Sequence, residues 1–279
     1  MKVLEVEGLC KVYPAFRLED VSFALGEGRI TGFIGRNGAG KSTTLKSLTG
    51  FVHADAGRVR FFGMDWAGNE KRIKQQIGFV SGGVGFYPGK RLRVITEVTR
   101  AFYPEWDEAM YRTCMERFSL DERKTPAQLS EGMKVKYALA LALSHRAKLL
   151  ILDEPTSGLD PVSRDELLDI LLDLQREGVS ILFSTHITSD LERCADDILY
   201  IQNGRIRAQD DIRRFTAGYR SVVLTEEQYG RAEKSLLIGA KQGKDGWRAI
   251  VRAEDAPSLD APCQAADLET IMIHLEKEA

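Results

Sequence analysis

Residues 2–7 (KVLEVE) and 20–25 (DVSFAL), which mix apolar and polar positions, read as short strands. GRITGFIG, residues 28–35, is more continuously apolar and ends in glycine, which predicts a more deeply buried strand. GRVRFFGMDW (57–66) alternates like a further strand, and QQIGFV (75–80) predicts a buried strand leading into SGGVGFYPG, a glycine-rich and therefore mobile loop. From Thr96 to Ser144 the period becomes helical: Tyr111, Cys114, Met115 and Phe118 fall at i, i+3, i+4 and i+7, one apolar helix face. KLLILDEP (148–155), SRDELLDILLDLQREG (163–178) and VSILFSTH (179–186) then read as strand, helix and strand, the order of helices packed on a parallel sheet. Asn-Gly between the apolar runs of ILYIQNGRI predicts a hairpin that closes the core near residue 207. Beyond about Thr216, RSVVLTE and WRAIVRA predict two more strands and DLETIMIHLEKE a final helix.

At 279 residues, 43% hydrophobic and 29% charged, the composition is that of a globular chain with one large domain and a small appendage. A net charge of -2 supplies no field that would gather nucleic acid or anionic lipid, so any anion site must be local. Cys10, Cys114, Cys194 and Cys263 are widely spaced and form no CxxC pair, which points to free thiols in a reducing cytosol rather than to zinc or a disulfide framework. Glu5 and Glu7 interrupt the opening run where a secretory signal would be apolar, and no stretch approaches the ~20 apolar residues of a membrane helix. Work at a membrane would therefore need a separate anchor.

GRNGAGKST (35–43) fits the phosphate-loop pattern GxxxxGK[ST] between a predicted strand and the helix-like TTLKSLTG. In that setting Gly35, Asn37, Gly38, Ala39, Gly40 and Thr43 belong to a loop whose amides curl around phosphate oxygens. Lys41 adds a cation near the β and γ phosphates of ATP, and Ser42 a hydroxyl ligand for Mg²⁺. LLILDEPTSGLD (149–160) brings Asp153 and Glu154 to the end of an apolar strand, where ligand sites of doubly wound sheets gather. Asp153 is the candidate Mg²⁺ ligand, through water, and Glu154 the candidate general base for an attacking water.

LSEGM (129–133), a Ser-Gly turn opening the helix-like KVKYALALALS, offers an anion site through its free amides and the Ser130 hydroxyl. Standing between the other two motifs, it resembles the signature that defines ABC (ATP-binding cassette) ATPases. The resemblance covers residues 1 to about 212 and implies an α/β P-loop NTPase core. That core would carry an antiparallel β subdomain and a helical subdomain at about 88–145, making an ATPase domain of 1–215 followed by a small α+β domain, 216–279. In that family the signature, here Ser130 and Gly132, reaches the γ phosphate bound by a second ATPase subunit, so two copies would pack head to tail around two ATP molecules. SGLD resembles the D-loop, which implies Asp160 at the same interface. His186 resembles the switch histidine, and Tyr13 the aromatic residue that stacks on adenine.

One element departs from the family pattern. A glutamine that senses Mg²⁺ and couples to the membrane partner is usual after QQIGFV, but Gly82 holds that place. Water replaces the missing amide, or coupling relies on Tyr87 and backbone groups. LSEGMKVKYALALALSHRAKLLILDEPTSGLDP together with AFYPEWDEAMY is most similar to bacterial exporter-type subunits that pair with a separately encoded membrane-spanning permease. The resemblance thus implies a cytoplasmic ATPase, peripheral on the inner face of the cell membrane, with no nucleic-acid partner. The alternative is a soluble ABC ATPase in a non-transport complex. DNA-repair members need a long coiled-coil insertion and translation factors two cassettes, and neither is visible in this sequence.

Overall fold

A computed structural model of the chain describes residues 1–81 and 87–277. In chain order the elements begin with β1 (Lys2–Tyr13), β2 (Phe16–Gly26), β3 (Ile30–Ile34), α1 (Lys41–Leu48), β4 (Ala56–Phe61), β5 (Met64–Asp65), α2 (Trp66–Lys74) and β6 (Ile77–Ser81). There follow α3 (Leu92–Arg100), α4 (Glu108–Arg117), α5 (Glu131–Ser144), β7 (Leu149–Asp153), α6 (Pro161–Arg176), β8 (Ser180–Thr185), α7 (Thr188–Cys194), β9 (Asp197–Gln202) and β10 (Arg205–Asp211). The last are α8 (Ile212–Ala217), β11 (Tyr219–Leu224), α9 (Glu226–Arg231), β12 (Ile238–Gly243), β13 (Gly246–Arg252), β14 (Cys263–Ala265) and α10 (Leu268–Leu275). Two compact units result, one of Met1–His186 with Leu199–Gln209, the other of Ile187–Ile198 with the residues from Asp210 onward.

The first unit carries two sheets. β2-β1-β4-β5 is antiparallel, and β10-β9-β3-β8-β7-β6 has parallel pairing from β3 through β8 and β7 to β6. All residues of β3, β7 and β8 are buried, as expected of parallel strands covered on both faces. A core that includes Leu4, Leu18, Phe33, Leu45, Phe61 and Leu182 lies between the two sheets and α1. Asn203 and Gly204 both take positive φ, 50° and 75°, and turn β9 into β10 as the Asn-Gly signal predicts.

The helical stretch holds three helices, α3, α4 and α5. α5 is buried over most of its length, and Gly78 of β6 lets it approach: a Cβ there would stand 2.6 Å from Ala142 Cβ. A buried hydroxyl network ties the three helices together. Tyr137 donates to Leu92 O at 2.9 Å, and Thr96 Oγ1 lies 2.8 Å from Tyr137 Oη and 2.9 Å from Tyr111 Oη. Burial pushes both phenols well above their usual pKa, so they remain neutral donors. Tyr137→Phe leaves the Leu92 carbonyl short of a partner, and urea unfolding is expected to show a loss of about 1–3 kcal/mol. An unchanged midpoint would mean that water takes over the bond.

The second unit is an antiparallel sheet, β12-β13-β11-β14, with α10 against β11, β12 and β13. Its core joins Val222, Leu224, Leu237, Ala249 and Val251. Tyr229 stacks on Trp247 at 3.8 Å between ring centroids, and Lys234 Nζ lies 3.2 Å from the Tyr229 ring centre. Within this unit Glu192 of α7 accepts the Leu268 amide at 2.9 Å, anchoring the start of α10.

Candidate active site

β3 ends at Ile34, and the chain curls through Gly35–Gly40 into α1. Gly40 is the residue that opens α1 and has φ 113°; a Cβ there would stand 2.6 Å from Leu18 and 2.8 Å from Phe16. Only glycine meets both the backbone angle and the space. Amides in the first turn of any helix have no intrahelical partner, so those of Lys41, Ser42 and Thr43 are available to an anion. The cavity they border, about 430 Å³, is also lined by Phe16, Asn37, Glu154 and His186.

Lys41 is only 5% exposed, although it is charged. Its ammonium donates to Gly35 O at 2.7 Å and Arg36 O at 3.3 Å, and stands 3.4 Å from Glu154 Oε1. Glu154 in turn meets His186, whose Nδ1 is 2.8 Å from Oε2. One step earlier in the chain, Asp153 Oδ1 accepts the Ser42 hydroxyl at 2.9 Å and the Ser184 hydroxyl at 2.8 Å. Asp153 is buried and held by hydroxyls, with no ion pair to a cation among the described residues, so its charge is open to neutralisation by a bound metal. A serine hydroxyl and a carboxylate are hard oxygen donors of the kind Mg²⁺ takes. The residues present fit that ion.

Ser130, Gly132 and Asp160 do not line this cavity. Ser130 caps α5, accepting the Met133 amide at 3.2 Å. Asp160 caps α6 through the Val162 and Ser163 amides at 3.1 and 3.0 Å and the Ser163 hydroxyl at 2.6 Å. Those bonds, the Ser163 hydroxyl foremost, hold its carboxyl below the usual range. A Cβ on Gly132 would lie 3.4 Å from Ser163 Cβ, so the α5 and α6 starts form one cluster. The ABC transporter family model matches residues 18–157, which include the phosphate loop, Asp153 and Glu154. This chain belongs to the ABC transporter ATP-binding family. As an ABC ATPase it is 32% identical to the ABC transporter ATP-binding protein YtrB of Bacillus subtilis over 68% of its own length and 65% of that protein's. It is 33% identical to the lantibiotic transport ATP-binding protein SrtF of Streptococcus pyogenes, over 73% of this chain and 89% of SrtF. Among solved structures, an ATP-binding subunit of an ABC transporter superposes with a TM-score of 0.68 at 32% identity, covering 76% of this chain and 92% of that one.

Tyr13, the expected adenine platform, ends β1 at 39% exposure and lies outside the cavity lining; its cross-strand partner Phe16 lines the cavity instead. Sequence reading missed Phe16, and it missed Ser184. The available signals were position: Phe16 follows Tyr13 across a two-residue turn, and Ser184 is a hydroxyl that directly follows the apolar run Ile181–Phe183, two residues before His186. Gly82, expected to hold the place of the family's usual glutamine, lies outside the described residues; Tyr87, five residues on, is 74% exposed.

Proposed function

We propose that this ABC ATPase drives a membrane exporter by closing head to tail with a second copy of itself around two ATP molecules. Each site takes its phosphate loop from one copy and its signature from the other. The observation that carries this reading is the separation of the two anion-binding clusters. Lys41, Ser42, Glu154 and His186 line one cavity, with Asp153 bonded to Ser42 behind it, while Ser130 and Gly132 adjoin Asp160 in another cluster and do not line it. The start of α5, with the Ser130 hydroxyl and the first-turn amides of the helix, can take an anion carried by another copy.

In the assembled site the loop amides and Lys41 bind the phosphates, and Tyr13 with Phe16 borders the base. Ser42 and Asp153 would hold Mg²⁺, which would neutralise phosphate charge there. Glu154 polarises the attacking water, and His186 holds that carboxylate and meets the γ phosphate. Hydrolysis removes the bridging phosphate, so the pair reopens and the motion passes to a permease on a separate chain. None of the described helices is long and apolar enough to cross a membrane; the likeness to transport subunits supports a peripheral place on the inner face of the cell membrane, held by the permease. The likeness to SrtF supports transport, and resemblance to exporter-type subunits favours the outward direction.

Copurification tests the reading. Glu154→Gln protein drawn from gently solubilised membranes with ATP present is expected to bring a stoichiometric multi-span protein, identified by mass spectrometry. Soluble partners alone would turn the assignment to a non-transport ABC ATPase.

A further inference from the structure

We propose that Ser184 is a positioning residue for ATP hydrolysis, its single hydroxyl setting both the carboxylate of Asp153 and the backbone of Glu154. The proposal rests on the roles given above to those two acids. β8 runs parallel to β7 with Ser184 paired to Asp153, and Ser184 is fully buried. Its hydroxyl donates to Asp153 Oδ1 at 2.8 Å and accepts the Glu154 N–H at 2.9 Å.

A hydroxyl has one proton and two acceptor sites, and an ionised carboxylate only accepts. The direction of the chain is therefore forced, from the Glu154 amide through the Ser184 hydroxyl to Asp153. Each bond polarises the next, and in a buried site neither has water as a ready substitute. Asp153 Oδ1 also takes the Ser42 hydroxyl at 2.9 Å, so two hydroxyls fix the carboxylate from β8 and α1 together.

Glu154 has the greater need. Its φ is 51°, a left-handed conformation that side chains with a Cβ seldom adopt, and such strain persists only where surrounding bonds hold it. The side chain of this residue lies between Lys41 at 3.4 Å and His186 at 2.8 Å. The Ser184 bond ties the Glu154 amide to β8, the strand that leads directly into His186. The general base and the histidine facing it are thus referred to one rigid strand, and the metal-side carboxylate is fixed by the same oxygen.

Three variants separate this role from mere packing. Ser184→Ala removes the hydroxyl without adding bulk, Ser184→Val adds bulk without a hydroxyl, and Ser184→Thr has the size of valine with the hydroxyl kept. In the purified full-length chain, kcat of the Ala and Val variants is expected to fall about ten- to a hundredfold, the scale seen when partners of ligating groups are lost. The Mg²⁺ concentration for half-maximal turnover is expected to rise in the same two variants. ATP binding measured without Mg²⁺ should stay near wild type, which also certifies folding, and the Thr variant should recover most of the turnover. A folded Ala variant with wild-type kcat and Mg²⁺ dependence overturns the proposal, as does a folded Val variant equal to the Thr variant. Glu154→Gln measured alongside keeps the two ideas apart. If it still hydrolyses ATP, the underlying roles fail; if it is inactive while Val equals Thr, only the positioning role fails.

Discussion

Glu154→Gln is expected to lower phosphate release at least ~100-fold, the scale of a lost general base, while ATP affinity holds or tightens. The two effects part because Glu154 faces two ways. Toward the cavity its carboxylate is the basic group placed to polarise water, and glutamine has the shape without the basicity. Toward Lys41 it is an anion 3.4 Å from a buried ammonium, the same ammonium that phosphate oxygens would use. Carboxylate and phosphate compete for that cation, and neutralising the side chain removes the competitor. Nothing else in the phosphate loop changes, since Lys41 keeps Gly35 O and Arg36 O as acceptors. Phosphate release and equilibrium ATP binding, measured on one preparation, check both halves, and sizing with ATP should show a stable pair of chains. Release within about twofold of wild type would remove Glu154 from the role. A clear loss of affinity would show instead that Glu154 shapes the loop.

What the sequence reveals of this site follows the range over which each contact is set. The phosphate loop is local: its chemistry depends on consecutive amides and on a glycine able to adopt φ 113°, so GRNGAGKST carries its meaning in nine letters. Asp153 and Glu154 are legible because a buried strand, read from its apolar run, must end where they stand. Phe16 and Ser184 depend on register between distant segments. Phe16 reaches the site only because β2 turns back from β1 over Gly40, and Ser184 only because β8 pairs residue for residue with β7. The α/β P-loop architecture is borne out, with element lengths the main difference. β1 runs to Tyr13 rather than stopping at residue 7 because its pairing shifts register between Val6 and Leu9, and a bulge breaks the alternation by which the strand is recognised. β12, with sequence IGAKQG, carries almost no strand signal of its own and is held by β13. The helical region divides at Tyr103–Asp107 and again at the Pro126 turn, which the apolar periodicity of residues 111–118, lying between the two, does not reveal.

Lys41→Ala should lose binding and turnover together, and this distinguishes it from Glu154→Gln. An ammonium has three donors, and here they face two carbonyls of the loop and one carboxylate, in a site 5% exposed. Charged hydrogen bonds of this kind are worth about 1.5–3 kcal/mol, so truncation is expected to weaken ATP roughly ten- to a hundredfold. Arginine is no substitute, because its planar fork is larger and cannot meet three acceptors arranged around a point. Removing the cation also leaves the Glu154 carboxylate with His186 as its remaining partner among the described residues, and takes away the side-chain bonds to Gly35 O and Arg36 O, so that of these loop bonds only the Ala39 amide to Arg36 O at 3.1 Å is kept. The check is ATP affinity together with the thermal stabilisation that ATP confers, since a ligand raises stability only as far as it binds the folded chain. Affinity within about threefold of wild type, at most ~0.7 kcal/mol, would mean that the helix amides alone hold the phosphates. The ammonium would then serve mainly to keep Glu154 in place, and the Lys41 variant would resemble a catalytic rather than a binding defect.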